Sequence, residues 1–136
     1  MRLLAATDFA LRALMRLAAE PERRMSTEEL ARDLGLSRNH LHKLVQALAA
    51  EGLVATQRGA QGGVTLAQPP DQIRIGEVVR RMERDQALVE CFRADGGACT
   101  LTSRCRLKSA LAGAEFAFYR ALDAVSLADC LPPAPR

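Results

Sequence analysis

The stretch Ser26-Thr27-Glu28-Glu29-Leu30-Ala31-Arg32-Asp33-Leu34-Gly35-Leu36-Ser37-Arg38-Asn39-His40-Leu41-His42-Lys43 carries two helix starts with a glycine stop between them. Ser26 followed three positions later by Glu29 is a capping box, in which each side chain can satisfy a free backbone amide of the first turn. Leu30, Ala31 and Leu34 share one face of the short helix that follows, and Gly35 breaks it. Ser37 caps a second helix, which is expected to run to about Ala50 and to stop at Gly52. Leu41, Leu44, Val45 and Leu48 form its inner face. Helix, tight glycine turn and helix make a helix-turn-helix, whose second helix enters a major groove with its N-terminal residues against base edges.

Immediately afterwards the apolar period changes to two. Leu53-Val54-Ala55-Thr56 reads as a strand, Gly59-Ala60-Gln61-Gly62-Gly63 as a turn and Val64-Thr65-Leu66 as the return strand, ended by Pro69-Pro70. This hairpin is the wing. Upstream, Ala10, Leu11, Leu14, Leu17 and Ala18 form the stripe of a helix over 7–20, with Thr7 as its expected N-cap and Pro21 behind it. Downstream, Ile75, Val78, Val79 and Met82 mark another helix. The stripe Leu107, Ala110, Leu111, Ala114, Ala117, Phe118, Ala121, Leu122 and Val125 marks a long one, and Pro132 to Pro135 form a frayed tail. The expected fold is mainly α: a winged helix-turn-helix with a small β-hairpin wing and a long C-terminal dimerisation helix. The organisation is a DNA-binding unit at 1–83, a cysteine-rich loop at 84–106 and a dimerisation segment at 107–131. A small domain has too little surface to bury the long stripe alone, so a homodimer packed through 107–125 is expected.

The chain of 136 residues fits one compact unit, and its net charge of +3 is compatible with nucleic acid without establishing it. No apolar run approaches the ~20 residues of a membrane span, and Asp8, Arg12 and Arg16 interrupt any signal-like start, so a cytoplasmic protein is expected. No catalytic triad, phosphate loop or paired carboxylates point to an enzyme. On the second helix, Arg38 can pair bidentately with guanine and Asn39 with adenine, Ser37 and Lys43 suit phosphates, and His40 and His42 complete the polar face. Arg58, beside a wing tip of small residues, would be drawn into a minor groove. Each of these residues alone is equally at home on a solvated face, and winged helices also bind proteins. The ordered combination favours double-stranded promoter DNA.

The chain has four cysteines. Three are spaced Cys91-x7-Cys99-x5-Cys105 and the fourth, Cys130, stands apart. Cytosolic chains rarely use disulfides structurally. The zinc signature of a close pair and the ferredoxin spacing are both absent. Gly96-Gly97 lets the backbone wrap a bulky object, and three thiolates short of a fourth suit an iron–sulfur cluster with a weaker last ligand. A zinc site, a thiol–disulfide switch and inert buried thiols are the other readings.

Taken together, these segments resemble the iron–sulfur winged-helix transcription regulators. The resemblance covers nearly the whole chain. It is carried by Thr7-Asp8-Phe9-Ala10-Leu11-Arg12-Ala13-Leu14, Leu36-Ser37-Arg38-Asn39-His40-Leu41, Arg58-Gly59-Ala60-Gln61-Gly62-Gly63-Val64, Ile73-Arg74-Ile75-Gly76-Glu77-Val78-Val79 and the three cysteines. Ser37 to His40, Cys105-Arg106-Leu107-Lys108 and Ser126-Leu127-Ala128-Asp129 are most similar to the nitric-oxide-sensing branch. The branch that regulates cluster assembly has a His shortly after its third cysteine, which this chain lacks. The resemblance implies a dimeric repressor released from DNA by nitric oxide. It also implies a cluster, [4Fe-4S] in preference to [2Fe-2S], on Cys91, Cys99 and Cys105, with Asp8 of the other subunit as fourth ligand. A regulator of cluster assembly or iron supply, a zinc or thiol switch and a small electron carrier are the alternatives. The Cys91–Cys99 gap is longer than is usual in the family, and Cys130 reads as a non-ligand.

Overall fold

In a computed structural model, residues 1–133 are described, which leaves Ala134 and Pro135 of the expected tail outside the described residues. The chain runs α1 (Ala5–Ala18), α2 (Thr27–Leu34), α3 (Arg38–Ala50), β1 (Val54–Gln57), β2 (Gly63–Leu66), α4 (Ile75–Met82) and α5 (Arg106–Asp123), with single 3-10 turns between. The mainly helical winged helix expected from the sequence is present, and among the described residues no helix is long and apolar enough to cross a membrane.

The helix-turn-helix forms for the local reasons its sequence suggests. The Ser26 hydroxyl accepts from the Glu29 amide at 3.1 Å, Gly35 takes the left-handed conformation that ends α2, and the Ser37 hydroxyl accepts from the His40 amide at 3.2 Å. Only half of the capping box closes, because the Glu29 carboxylate turns to Arg23, 2.6 Å away. β1 and β2 pair antiparallel, with Val54 opposite Leu66 and Gln57 opposite Gly63. Met25 adds a bridge on the other side of β2, its amide and carbonyl both bonded to Val64. The core is one aliphatic cluster of α1, the inner faces of α2 and α3, the hairpin, α4 and Leu127, with Leu14, Leu30, Leu41, Val78 and Leu127 fully buried.

The start of α1 differs from the sequence expectation. The helix begins at Ala5 behind Leu4, with no side-chain cap. Thr7 is not the N-cap; it is fully buried, and its hydroxyl donates to the Glu83 carboxylate at 2.5 Å. The same oxygen accepts from the Leu4 amide at 2.8 Å. A carboxylate just beyond α4 thus satisfies a free amide at the positive end of α1, which a side chain within α1 would otherwise have to do.

α5 is attached at one end. Its C-terminal half carries Phe118, Tyr119 and Leu122, half-buried against the core. Arg80 of α4 holds Asp123 with two hydrogen bonds, 2.8 and 3.2 Å, and stacks over the Tyr119 ring. Burial, with help from Glu115 and Glu83, holds the Tyr119 hydroxyl above its usual pKa. At Gly76 there is no room for a Cβ, which would collide with Asp123. Behind the helix the chain is zipped to the start of α4 through Ile75 N–H to Val125 O and Leu127 N–H to Ile73 O. No residue of α5 is fully buried within the chain, and Leu107 and Phe116 are 64% and 66% exposed. The long apolar stripe is therefore divided: Phe118, Leu122 and Val125 serve this chain's core, whereas Leu107, Ala110, Ala114 and Ala117 face outward.

Removing the buried carboxylate should destabilise the fold. Glu83→Ala strands the Thr7 hydroxyl and the Leu4 amide, and hydrogen bonds to a charged group contribute ~1.5–3 kcal/mol. A matching drop in the urea midpoint at unchanged slope is expected. A loss under about 0.5 kcal/mol would show that the junction tolerates the gap, against this account.

Candidate nucleic-acid interface and cysteine segment

α3 is buried along Leu41, Leu44, Val45 and Leu48 and exposed at Ser37, Arg38, Asn39, His40, His42 and Lys43. All the residues singled out on this helix therefore lie in its first two turns, outside the core. The Arg38 guanidinium pairs with Glu28 of α2, and both side chains are well exposed. Such a pair contributes ~0–1 kcal/mol, so exchanging it for a base or a phosphate costs little.

The far end of α3 is held by the last turn of α4 and the residues just after it. The Arg81 guanidinium donates to the Glu51 carbonyl at 2.6 Å, and Arg84 pairs with the Glu51 carboxylate at 2.5 Å. Cations on the last carbonyl of a helix match its negative end. Nothing local in the sequence announces these two arginines, which act across 30 and 33 positions.

The wing tip carries Arg58, exposed, on a loop otherwise made of Gly59, Ala60, Gln61 and Gly62. Gly62 could not carry a side chain, since a Cβ would meet the Gln57 and Gly59 carbonyls. Arg24, not anticipated at this place, reaches the loop and donates to the Gln61 carbonyl at 2.7 Å. Its neighbour Arg23 is committed to the carboxylates of Glu20 and Glu29.

The three clustered cysteines occupy three settings. Cys91 lies in the 3-10 turn Glu90–Phe92, Cys99 follows Gly96-Gly97, and Cys105 is the N-cap residue of α5. All three are free thiols and half-buried. Between the first two the chain closes on itself. Gly97, with φ of 60°, packs on the Glu90 carbonyl where a Cβ would not fit. The Ala98 amide donates to the Glu90 carboxylate at 3.2 Å. Arg93 holds Asp95 in a fork of 2.7 and 3.0 Å, which together with the Gly97 amide keeps the Asp95 carboxyl below the usual range. The long gap thus folds into a small closed loop that returns the chain beside Glu90. Among the described residues no three His, Cys, Asp or Glu side chains converge on a single-ion site. The donor chemistry, three half-buried thiols on a glycine-containing strap, fits a thiolate-held cluster; the geometry leaves Cys105 outside the loop that joins Cys91 to Cys99. Asp8 is exposed on the first turns of α1, 2.8 Å from Arg12. Cys130 is half-buried in the 3-10 turn Ala128–Cys130, its thiol donating to the Ser126 carbonyl at 3.5 Å.

A capped helix-turn-helix, a hairpin wing and an aliphatic core shared by α1 to α4 define a winged-helix regulator of the DNA-binding type. Residues 3–133 match the family model Rrf2, described as iron-dependent transcriptional regulator, and the chain belongs to that family. It is 45% identical over 126 residues to the HTH-type transcriptional regulator NsrR of Geobacillus kaustophilus, covering 92% of this chain and 86% of that protein. It is 41% identical over 130 residues to the regulator of the same name from Bacillus subtilis, covering 95% and 89%. Among solved structures it is similar to IscR of T. potens, with a TM-score of 0.74, 26% identity and coverage of 96% and 85%. It is equally similar to CymR, the global cysteine regulator of B. subtilis, with a TM-score of 0.74, 26% identity and coverage of 96% and 95%. The chain is a transcription regulator and not an enzyme.

One substitution tests how the wing is seated. A methyl at Gly63 would collide with the Met25 carbonyl and lie 2.8 Å from Arg24 Cγ, so Gly63→Ala must push β2 off the Met25 bridge. Crowding of this kind costs ~1–3 kcal/mol, and thermal unfolding should show it as a lowered midpoint. An unchanged midpoint would contradict this seating of the hairpin.

Proposed function

We propose that the chain is a transcriptional repressor that binds promoter DNA as a homodimer, carries an iron–sulfur cluster and lets go of DNA when nitric oxide attacks that cluster. The observation that carries this reading is a strap of three free, half-buried thiols leading directly into a helix whose N-terminal half has no fully buried residue and leaves Leu107 64% exposed. The likeness to regulators named NsrR supports the same reading.

Cys91, Cys99 and Cys105 would hold the cluster, [4Fe-4S] in preference to [2Fe-2S], with Asp8 of a second copy as the harder, weaker fourth ligand. Bound there, the cluster supplies iron that reacts with nitric oxide. The chain's own residues do the rest. The strap sets the start of α5, and exposed Leu107, Ala110, Ala114 and Ala117 offer a face for the same helix of a second copy. Pairing of the two helices would set the distance between the two copies of α3, as two successive major grooves require. Arg38 and Asn39 then read bases, Ser37, His40, His42 and Lys43 surround the backbone, and Arg58 enters the minor groove.

Two measurements test this. Anaerobically purified protein should contain iron and acid-labile sulfide, lose both on replacement of Cys91, Cys99 or Cys105, and keep both in Cys130→Ala. Stepwise nitric oxide should bleach the absorbance and release a duplex recovered by in vitro selection in parallel; bleaching with DNA still bound at the original affinity would overturn the sensing mechanism. Zinc in place of iron, or thiol oxidation alone driving release, would favour a zinc or thiol switch instead.

On the selected duplex, Arg38→Ala should cost ~1–3 kcal/mol and relax one base position, while Lys43→Ala should weaken all sequences evenly. Ala114→Glu should give a folded monomer by sedimentation, because it places an unpaired charge in the helix pairing at an exposed position outside its own core. A dimer of undiminished affinity would remove α5 from the interface.

A further inference from the structure

We infer that Arg24 is a second cation of the wing, bonding a phosphate of the DNA backbone beside the minor groove that the tip enters. This rests on the winged helix binding DNA through α3 and the hairpin. Three observations support it. Arg24 is exposed, and its guanidinium is fixed on the wing loop by the 2.7 Å bond to the Gln61 carbonyl. The backbone beneath it is equally fixed, because Met25 is fully buried and bridged to Val64, and its stem passes over Gly63 where a side chain would not fit. Its charge is directed at a neutral carbonyl, whereas Arg23 next to it is held by two carboxylates.

The wing that Arg24 reaches brings no counter-charge of its own. From Gly52 to Pro70 the hairpin contains no Asp or Glu. A guanidinium has five N–H donors, so one bond to Gln61 leaves a fork free for an anion. Arg24 and Arg58 approach the same loop from different parts of the chain, one from the segment before α2 and the other from the end of β1. A tip flanked by a cation on either side, and only Gly, Ala and Gln between them, is suited to straddling a groove with one cation inside it and one on its wall.

Phosphate contacts are independent of sequence, so the probe is a random-sequence 40-base-pair duplex titrated across a sodium chloride series. Each phosphate neutralised contributes ~0.9 to the slope of log K against log salt. Arg24→Gln keeps an amide for the Gln61 carbonyl and removes the charge. Its slope should be shallower by about 0.9 per engaged protomer, which is about eightfold in affinity at 0.1 M salt relative to 1 M. Arg24→Lys should restore the slope. Arg120→Ala, on α5 and outside the winged-helix unit, removes the same net charge and should leave the slope alone. An unchanged slope in Arg24→Gln, a salt-independent loss such as a mere tether would cause, or an equal loss in Arg120→Ala overturns the inference. If the wild-type protein shows no salt-dependent binding, the DNA-binding reading falls with it; if only Arg24→Gln behaves as wild type, that reading stands and the role of Arg24 alone is refuted.

Discussion

A single buried carboxylate ties the two ends of the winged-helix unit together. Glu83 follows α4 and heads the segment that leads to the cysteines, yet its oxygen is bonded to the Thr7 hydroxyl and the Leu4 amide at the start of α1. A buried carboxylate without partners is prohibitively costly, so chain segments about eighty positions apart must meet at this point. With that junction set, α1 lies along α4, its buried face of Ala10, Ala13, Leu14 and Leu17 closes the core, and α2 and α3 pack against what remains.

The same logic governs α3. Its beginning is capped by its own Ser37, which leaves the first two turns free to face outward. Its end is gripped from outside, by Arg81 on the Glu51 carbonyl and Arg84 on the Glu51 carboxylate. Residues at the end of α4 therefore hold the negative terminus of α3 and, through Glu83, the positive terminus of α1. Two helices whose ends would otherwise need solvent are completed by one short stretch, which also begins the path to Cys91.

The parts legible in the sequence are those whose causes are local. Ser26, Gly35 and Ser37 each act within four residues, and the hairpin shows itself by a change of apolar period followed by glycines, so the helix-turn-helix and wing were readable in place and order. Where a distant group intervenes, local reading fails. Thr7 has the chemistry of a cap but gives its hydroxyl to Glu83. Glu29 has the chemistry of a capping box but turns to Arg23. Arg24 sits beside a residue with no strand pattern of its own, and only the bridge of Met25 to Val64 carries it to the wing. The cysteine spacing pointed to a cluster, and thiol chemistry at half-buried positions is consistent with it. Spacing alone, however, says nothing of how Glu90 and Gly97 close the first gap, or that Cys105 belongs to the start of α5.

The one-ended attachment of α5 makes it a lever. Arg80, Gly76 and the Asp123 carboxylate form a tight fulcrum at its C-terminal end, and Cys105 stands at the opposite tip. Its 18 residues span ~27 Å. A tilt of about 5° at the fulcrum therefore swings the tip by about 2 Å. Mechanical advantage runs the other way too: a displacement of a couple of ångströms among the thiols arrives at α4 as a rotation too small to disturb its packing, while the outward face along the shaft sweeps through all the distances in between.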